Sequence, residues 1–222
     1  REEFIIIDTA QEVSIGANFA KQVEKEMEVS DSPFLLERVE SIGERVASVC
    51  DRKDLDYHFS VIDDKEVNAF ALPGGYIYVH TGLLNMVSDD ELACVIGHEI
   101  GHVAARHSVK AMQAALGYNL FMSLVFGKEE YRSINETGNI LFNIVHLKYS
   151  REDELLADKL GVKYASLSAF NSKGMFTFLE KLKEKAEKEG KGEGILILRS
   201  HPYLEQRIEA IKKEIDLAGQ KP

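Results

Sequence analysis

The chain has 222 residues, of which 45% are hydrophobic and 29% are charged, and it contains no tryptophan. This length is sufficient for a substantial buried core, and the apolar content excludes an intrinsically disordered chain. The net charge of −10, from 27 basic and 37 acidic residues, argues against a nucleic-acid partner. No window has the roughly 18 to 20 apolar residues that a membrane span requires, so we expect no transmembrane segment.

Two features of the sequence bear on its cellular compartment. Two cysteines are too few for a disulfide scaffold. Cys50 and Cys94 both lie in apolar helical patterns, where we expect buried free thiols, and a single disulfide between them is the alternative. The chain begins with Arg1 rather than methionine, so we expect that an export signal or a lipid anchor has been removed.

The first part of the chain combines two helices with a small group of strands. Apolar residues at helical spacing predict amphipathic helices over about residues 11–27 and 32–50. The pattern then changes to short runs of β-forming residues, which predict strands over residues 57–62, 69–72 and 76–79. We therefore expect an α+β chain with a small sheet.

The remainder of the chain is almost entirely helical by its pattern. Two capping boxes, Ser88 with Glu91 and Ser150 with Asp153, predict the starts of helices that extend to about residues 115 and 168. Further helices are expected from about residue 171 into a charged run that ends near residue 192, and from Pro202 to about residue 217. We expect one domain over residues 1–222, with an N-terminal arm (1–10), a candidate lid (116–149) and a mobile charged loop (183–194).

Residues 92–105 form the most informative segment, because three ionisable side chains interrupt an otherwise small and apolar helix. Such side chains need a compensating partner when they are buried, and a metal ion can supply it. His98 and His102 lie on one helix face, about 5–6 Å apart at Cβ, and can share one zinc ion. Glu99 lies beside that face, where it can accept a proton from a zinc-bound water. Two core histidines bonded to backbone groups are the alternative interpretation.

Two glycines occupy the same helix as these histidines. Gly97 and Gly101 are also four residues apart, and each lowers helix stability by about 1 kcal/mol relative to alanine. We expect that this cost is offset by the close approach of another element to the helix.

The third metal ligand must come from a different helix. A catalytic zinc retains three protein ligands, and the third histidine of the metzincin pattern is missing because position 108 is serine. Glu154 and Asp158 are four residues apart, and like charges at that spacing repel each other mildly unless a cation lies nearby. We predict Glu154 as the ligand and Asp158 as the acceptor for the second ring N–H of a ligand histidine. A solvated acidic helix face is the alternative.

The pattern His98-Glu99-x-x-His102, followed by Glu154-x-x-x-Asp158, resembles the gluzincin metallopeptidases. The surrounding sequence resembles more closely the family that holds the HtpX heat-shock proteases and the CAAX prenyl proteases. The matching segments, within a resemblance that covers about residues 11–218, are residues 68–79, 82–84, 97–107, 149–158 and 201–208. The resemblance implies a single, mostly helical zincin-like metallopeptidase domain with one Zn²⁺ ion and a small β-sheet bordering the active-site helix.

The resemblance also implies a location. HtpX-type members have membrane spans, whereas this chain looks like the soluble branch that is exported to the periplasm of bacteria. Some members of that branch are fused to helical repeats, which this sequence does not contain. We therefore expect an exported, cell-envelope protein.

The same resemblance assigns a substrate-binding role to the strand that contains Asn68, Ala69, Phe70 and Ala71, or to the strand after it. Such a strand borders the active site and pairs with an extended substrate through backbone hydrogen bonds, which tolerate many sequences. An ordinary hairpin of the hydrophobic core is the alternative.

Two residues near the C-terminus enter the site by resemblance alone. His201 is placed at the cleft, where it either stabilises the oxyanion or, in a resting form, fills the fourth position of the zinc. Arg207 then stabilises transition-state charge or holds Asp158 or Glu154. A turn histidine and a surface ion pair are the alternatives. The remaining histidines have no partner at ligand spacing and are interpreted as structural; they are His58, His80, His107 and His146.

The leading hypothesis is a zinc-dependent endopeptidase that hydrolyses peptide bonds in unfolded or misfolded proteins, including membrane-associated ones. Zinc polarises the scissile carbonyl, while Glu99 takes the proton of the water and later delivers it to the leaving amine. The alternative is a latent or non-catalytic zinc-containing binder that acts like a chaperone.

Overall fold

The computed structural model describes residues 5–114, 148–189 and 195–218. Over these residues the chain is mostly helical with one small sheet, which confirms the α+β class expected from the sequence. The elements are α1 (Thr9–Glu26), α2 (Pro33–Ala47), β1 (His58–Ile62), β2 (Ala69–Leu72), β3 (Tyr76–His80), α3 (Thr81–Leu84), α4 (Asp89–Ala104), α5 (Arg151–Leu167), α6 (Gly174–Glu189), α7 (Ile197–Ser200) and α8 (Leu204–Ala218).

Side-chain caps begin the longer helices. Ser88 caps α4 and Glu91 bonds back to the Ser88 backbone, so the first predicted capping box is confirmed. Ser150 and Asp153 form the second box at the start of α5, which is also confirmed. These caps satisfy amide groups that have no partner within the helix, and they therefore define where α4 and α5 start.

The sheet has the strand order β1-β3-β2. Strand β1 is parallel to β3, whereas β2 is antiparallel to it and is joined to it by the Pro73–Gly75 turn. Gly74 and Gly75 both have positive φ, which glycine adopts at low cost. All four residues of β2 are buried, although β2 is an edge strand of the described sheet.

The core lies on both sides of this sheet. The larger cluster contains the apolar faces of α2, α4 and α6 together with one face of the strands. The smaller cluster packs α1 against the other face, with Phe19 and Val23 buried among Phe70, Leu72 and Tyr78. The sheet thus separates α1 from α4, and α4 is buried almost along its whole length.

Helix α5 approaches α4 at its glycines, as expected from the sequence. A Cβ atom placed on Gly97 would lie 3.0 Å from the Cα of Gly161, and one on Gly101 would lie 3.1 Å from the carbonyl oxygen of Ala157. The two helix backbones are therefore nearly in contact. We refer to this contact, formed by Gly97, Gly101, Ala157 and Gly161, as the glycine seam.

The prediction that the helix begun at Ser88 continues to residue 115 is wrong. Helix α4 ends at Ala104, and Arg106 has a left-handed backbone with φ of 58°. The Arg106 side chain lies 2.8 Å from the buried carboxylate of Glu12 and donates to the carbonyl of Ile7. This tertiary ion pair holds a conformation that is unfavourable for a residue with a side chain. A new helical segment then covers residues 107–114.

Other predicted segments lie partly outside the described residues. Residues 1–4 of the expected arm and 116–147 of the candidate lid belong to this group. The predicted mobile loop over residues 183–194 is wrong for residues 183–189, which continue α6, and residues 190–194 lie outside the described part of the chain. Both cysteines are free and buried, which confirms the expected thiols. Across the described ranges, no helix is both long enough and apolar enough to cross a membrane.

Candidate metal centre

Four buried side chains converge between α4, α5 and the end of α7. His98 and His102 come from α4, Glu154 from the first turn of α5, and His201 follows α7 directly. One nitrogen or oxygen atom from each lies within 4.8 Å of all the others. The two Nε2 atoms of His98 and His102 are 3.0 Å apart, and His201 Nδ1 lies 3.2 Å from His98 Nε2. We call these four residues the donor cluster.

A carboxylate behind the cluster orients His98. The Nδ1 of His98 lies 2.8 Å from Asp158 Oδ1, and Arg207 makes two further hydrogen bonds to the same carboxylate. Burial alone would raise the pKa of Asp158, but the Arg207 guanidinium reverses this effect and holds that pKa below its usual range. An ionised carboxylate only accepts hydrogen bonds, so His98 donates from Nδ1 and directs Nε2 into the cluster.

A second set of contacts holds His102. The ring of Tyr149 stacks on the His102 ring with centroids 4.0 Å apart. The Nδ1 of His102 lies 2.9 Å from His107 Nδ1, and His107 Nε2 lies 3.2 Å from Asp153 Oδ1. Burial lowers the pKa of His102 well below its usual value, so this imidazole is neutral. Its Nε2 is therefore available to bind a cation.

Arg207 connects the two carboxylates of the site. Its Nη1 lies 2.9 Å from Glu154 Oε2, at an angle that forms no hydrogen bond, and it also donates to the carbonyl of His201. Burial would raise the pKa of Glu154, but the positive charges on His201 and Arg207 outweigh it and hold that pKa far below its usual value. Glu154 is thus ionised although it is fully buried.

Glu99 lies at the margin of this cluster. Its side chain is 2% exposed, and its Oε1 lies 3.6 Å from His201 Nε2 with no hydrogen-bond partner among the described residues. Burial raises the pKa of Glu99 above its usual value. A carboxylate of this kind has a greater tendency to accept a proton than an exposed one.

A narrow cleft opens beside Glu99 and His201. Its empty volume is about 280 Å³, some of it open solvent, but only about 10 Å³ is available to the centre of a water molecule. That is about the space for one water. Apart from the polar residues of the site, its walls are apolar and come from α4, α6 and α7: Val95, Met175, Phe178, Leu182, Ile197 and Leu198.

The chemistry of the donor cluster fits a metal ion. Nitrogen atoms of three histidines and a carboxylate oxygen lie within 4.8 Å of one another, and Glu154 Oε2 has no hydrogen bond from any described residue. Lone pairs in such an arrangement repel each other unless a cation lies between them. Imidazole nitrogen and carboxylate oxygen are ligands that transition metals prefer.

The residues singled out in the sequence are not all in one place. The structure brings His98, His102, Glu154 and His201 together, with Glu99, Asp158 and Arg207 in direct contact with them. Asn68–Ala71 lies elsewhere: β2 packs against α4, and none of its residues lines the cleft. Sequence reasoning missed Tyr149 and treated His107 as purely structural. Tyr149 does begin one of the segments on which the family resemblance rests.

A buried HExxH helix that meets a carboxylate from a second helix defines the metallopeptidase class. The chain belongs to Peptidase family M48, whose sequence profile matches residues 35–215. The resemblance to the metallopeptidases of this family is thereby confirmed.

Curated relatives support this membership. The chain is 30% identical over 216 residues to the β-barrel assembly-enhancing protease of Escherichia coli K12, which covers 91% of this chain and 43% of the relative. It is 30% identical over 211 residues to a putative protein of the same description from Vibrio cholerae, with coverage of 89% and 43%. Metalloprotease LoiP of E. coli K12 is 32% identical over 165 residues, with coverage of 73% and 64%. The chain thus spans less than half the length of the two assembly-enhancing proteases.

Proposed function

We propose that this protein is a zinc endopeptidase of unfolded or misfolded proteins, in which His98, His102 and Glu154 bind one zinc ion. The observation that carries the proposal is the donor cluster, in which three buried histidines and a buried carboxylate each bring one nitrogen or oxygen atom within 4.8 Å of the others. Two of its members are the histidines of the HExxH helix, and the third is the carboxylate of α5.

The spacing within the cluster supports zinc. With zinc–nitrogen bonds of about 2.0–2.1 Å, two ligand atoms of a tetrahedral site lie about 3.3 Å apart. The observed separations are 3.0 Å between the two Nε2 atoms of His98 and His102, and 3.4 Å between His102 Nε2 and Glu154 Oε1. His98 Nε2 lies 3.7 Å from Glu154 Oε2. Little movement is needed for these three residues to share one ion.

Glu99 is the proposed general base. When bound, zinc supplies a Lewis acid that polarises the scissile carbonyl and lowers the pKa of a coordinated water. Glu99 accepts the proton of the attacking water and delivers it to the leaving amine. Its burial, its raised pKa and its free Oε1 favour this role, because a base whose pKa is closer to neutral transfers protons more effectively.

Asp158 and Arg207 are proposed to support the ligands and not to touch the substrate. Asp158 fixes the ring of His98 through the Nδ1 hydrogen bond, and Arg207 places one positive charge beside both buried carboxylates. Such supporting contacts orient metal ligands and increase their basicity.

His201 is proposed to close the site in a resting form. Its Nδ1 lies 3.0 Å from Glu154 Oε1 and 3.2 Å from His98 Nε2, so this nitrogen is within reach of the ion that those residues would hold. A fourth protein ligand fills the position that an active site leaves open for water. Stabilisation of the oxyanion by His201 is the alternative role.

The substrate is proposed to pair with β2. His80 donates to the carbonyl of Asn68, so Asn68 and Phe70 face β3, and the backbone groups of Ala69 and Ala71 alternate to the other edge. Val67, next along that edge, already accepts a hydrogen bond from Ile197. An extended peptide could continue this pairing through its backbone, with little dependence on sequence.

The cellular location and the class of substrate are proposed from the relatives. Two of them are described as β-barrel assembly-enhancing proteases, and together with the resemblance to HtpX-type proteases this supports work on unfolded proteins in the bacterial periplasm. The chain would act there as a single metallopeptidase domain over residues 1–222. The competing function is a zinc-containing chaperone-like binder without turnover.

Zinc stoichiometry and proteolysis, measured on one sample, test the proposal. We expect one zinc per chain and slow, chelator-sensitive cleavage of casein. Zinc without any cleavage, even after the substitution His201→Ala, would favour the binder. Absence of bound zinc in protein that has not met a chelator would overturn the proposal.

A further inference from the structure

His107 lies directly behind His102, on the side away from the donor cluster. The two Nδ1 atoms are 2.9 Å apart, and the His107 side chain is 3% exposed. The other ring nitrogen of His107 lies 3.2 Å from Asp153 Oδ1, at the start of α5. Asp153, His107 and His102 therefore form a continuous chain of contacts that ends at Nε2 of His102.

The direction of the hydrogen bonds follows from the chemistry of the three groups. The Asp153 carboxylate lies 3.2 Å from His107 Nε2 as an ion-pair contact, and its negative charge favours the neutral tautomer of His107 that carries the proton on Nε2 and leaves Nδ1 bare. This Nδ1 must then accept, which requires that His102 donates from its own Nδ1. Because a neutral imidazole carries one proton, His102 Nε2 is bare and points into the cluster.

We propose that His107 is a positioning residue that fixes the tautomer and the ring orientation of His102 for metal binding. This inference rests on the proposed function, in which His102 is a zinc ligand. The second ring nitrogen of a zinc-binding histidine ordinarily donates to a carboxylate, a backbone carbonyl or water. Here a second histidine replaces that acceptor, and Asp153 determines which of its nitrogens is free to accept.

The contacts of Tyr149, the other side chain that packs on the His102 ring, are consistent with a positioning role for His107. Tyr149 stacks on the face of the His102 ring at 4.0 Å, which restricts the ring plane but provides no acceptor for Nδ1. Of the described residues, His107 is the one whose contact with His102 Nδ1 has hydrogen-bond geometry. His98, in contrast, uses Asp158 for the same purpose. The two zinc-binding histidines thus have different supports.

Three substitutions of His107 separate positioning from general packing. In His107→Asn, the amide lies near the former Nδ1 and can still accept from His102. In His107→Gln, the amide reaches instead towards the former Nε2 and contacts Asp153. His107→Leu provides neither contact. Each variant of the full chain is stripped of metal, its melting temperature is measured, and it is then titrated with Zn²⁺ against a chromophoric chelator.

We expect His107→Leu to weaken zinc affinity by about 10- to 100-fold, the range typical of lost supporting hydrogen bonds. His107→Asn should recover most of this affinity and His107→Gln should not, at similar melting temperatures. The visible absorption bands of Co²⁺-loaded protein should match wild type only for His107→Asn. Equal zinc affinities and equal Co²⁺ spectra for the Asn and Gln variants would overturn the inference, even if the Leu variant does not fold. Failure of the wild type to bind zinc would instead overturn the proposed function.

Discussion

Arg207 and Asp158 form a buried two-point ion pair, with Nε–Oδ2 and Nη2–Oδ1 distances of 2.7 and 2.6 Å. The same Oδ1 lies 2.8 Å from His98 Nδ1, so one carboxylate connects the arginine of α8 to a histidine of α4. This relationship explains why a buried arginine is tolerated, since its charge faces Asp158 and Glu154. Loss of the negative charge on Asp158 would therefore affect both Arg207 and His98.

Replacing Asp158 with asparagine should weaken zinc binding by about 10- to 100-fold, because the amide orients His98 but no longer increases the basicity of its ring. The measurement is a zinc titration of chelator-treated protein. Asp56→Asn, an exposed change of the same kind, is the control. Unchanged affinity in the Asp158 variant would contradict the supporting role.

The same substitution should change how the stability of the metal-free protein depends on pH. The folded-state pKa of Asp158 lies below its unfolded value, so its contribution to stability is present above about pH 4 and is lost as the pH falls through the folded pKa. We therefore expect the difference in free energy of unfolding between wild type and Asp158→Asn to be largest near neutral pH and to shrink in acid. Urea unfolding at several pH values measures it. A difference that is independent of pH would contradict this assignment.

Glu154→Ala should abolish tight zinc binding, because two histidines alone make a poor site. Metal analysis after dialysis against a weak chelator measures the loss. Glu152→Ala, an exposed neighbour on the same helix, should retain one equivalent. If Glu154→Ala also retained one full equivalent, Glu154 would be removed from the ligand set.

His201→Ala should keep zinc and raise basal proteolysis, since it removes the side chain that closes the site. Casein cleavage by zinc-loaded protein is the measurement, and His58→Ala, at an exposed histidine of β1, is the control. A lower rate would instead support oxyanion stabilisation by His201. An unchanged rate would return His201 to the role of a turn residue.

Glu99→Gln should separate zinc binding from chemistry. Glutamine has nearly the same shape, and Glu99 is not a proposed ligand, so one zinc per chain and near-unchanged melting are expected. Loss of the general base should reduce proteolysis at least ~10³-fold, towards the upper end of the range for such catalysis. Glu40→Gln, on the exposed face of α2, is the control for the loss of one negative charge. Turnover like that of the wild type in the Glu99 variant would contradict the mechanism.

Local patterns in the sequence were sufficient to predict much of this structure. The capping boxes at Ser88 and Ser150 placed the starts of α4 and α5, and helical spacing placed His98 and His102 on one face. Gly97 also gave local information, because a glycine lowers helix stability and its presence predicted the close approach of another element. That element is α5.

Features that depend on distant contacts could not be read from the sequence. The left-handed Arg106 ends α4 because of its ion pair with Glu12, which lies more than ninety residues away in the sequence. Tyr149 reaches His102 only after α5 has packed on α4, and nothing in its local sequence indicates that contact. An unbroken helix was expected after His102, and residues five apart do not share a face of such a helix. Helix α4 instead ends at Ala104, and this break lets His107 contact His102.

The glycine seam determines which part of the molecule can open. Helices α4 and α5 touch backbone to backbone at Gly97 and Gly161, so they cannot slide or separate without exposing both backbones. Within the described part of the chain, residues 195–201 make no such backbone contact between helices and are held by hydrogen bonds such as those from Ile197 to Val67 and from Tyr149 to Ser200. We therefore expect α4 and α5 to stay fixed relative to each other when a polypeptide binds. The segment that carries His201 is then the part that moves aside.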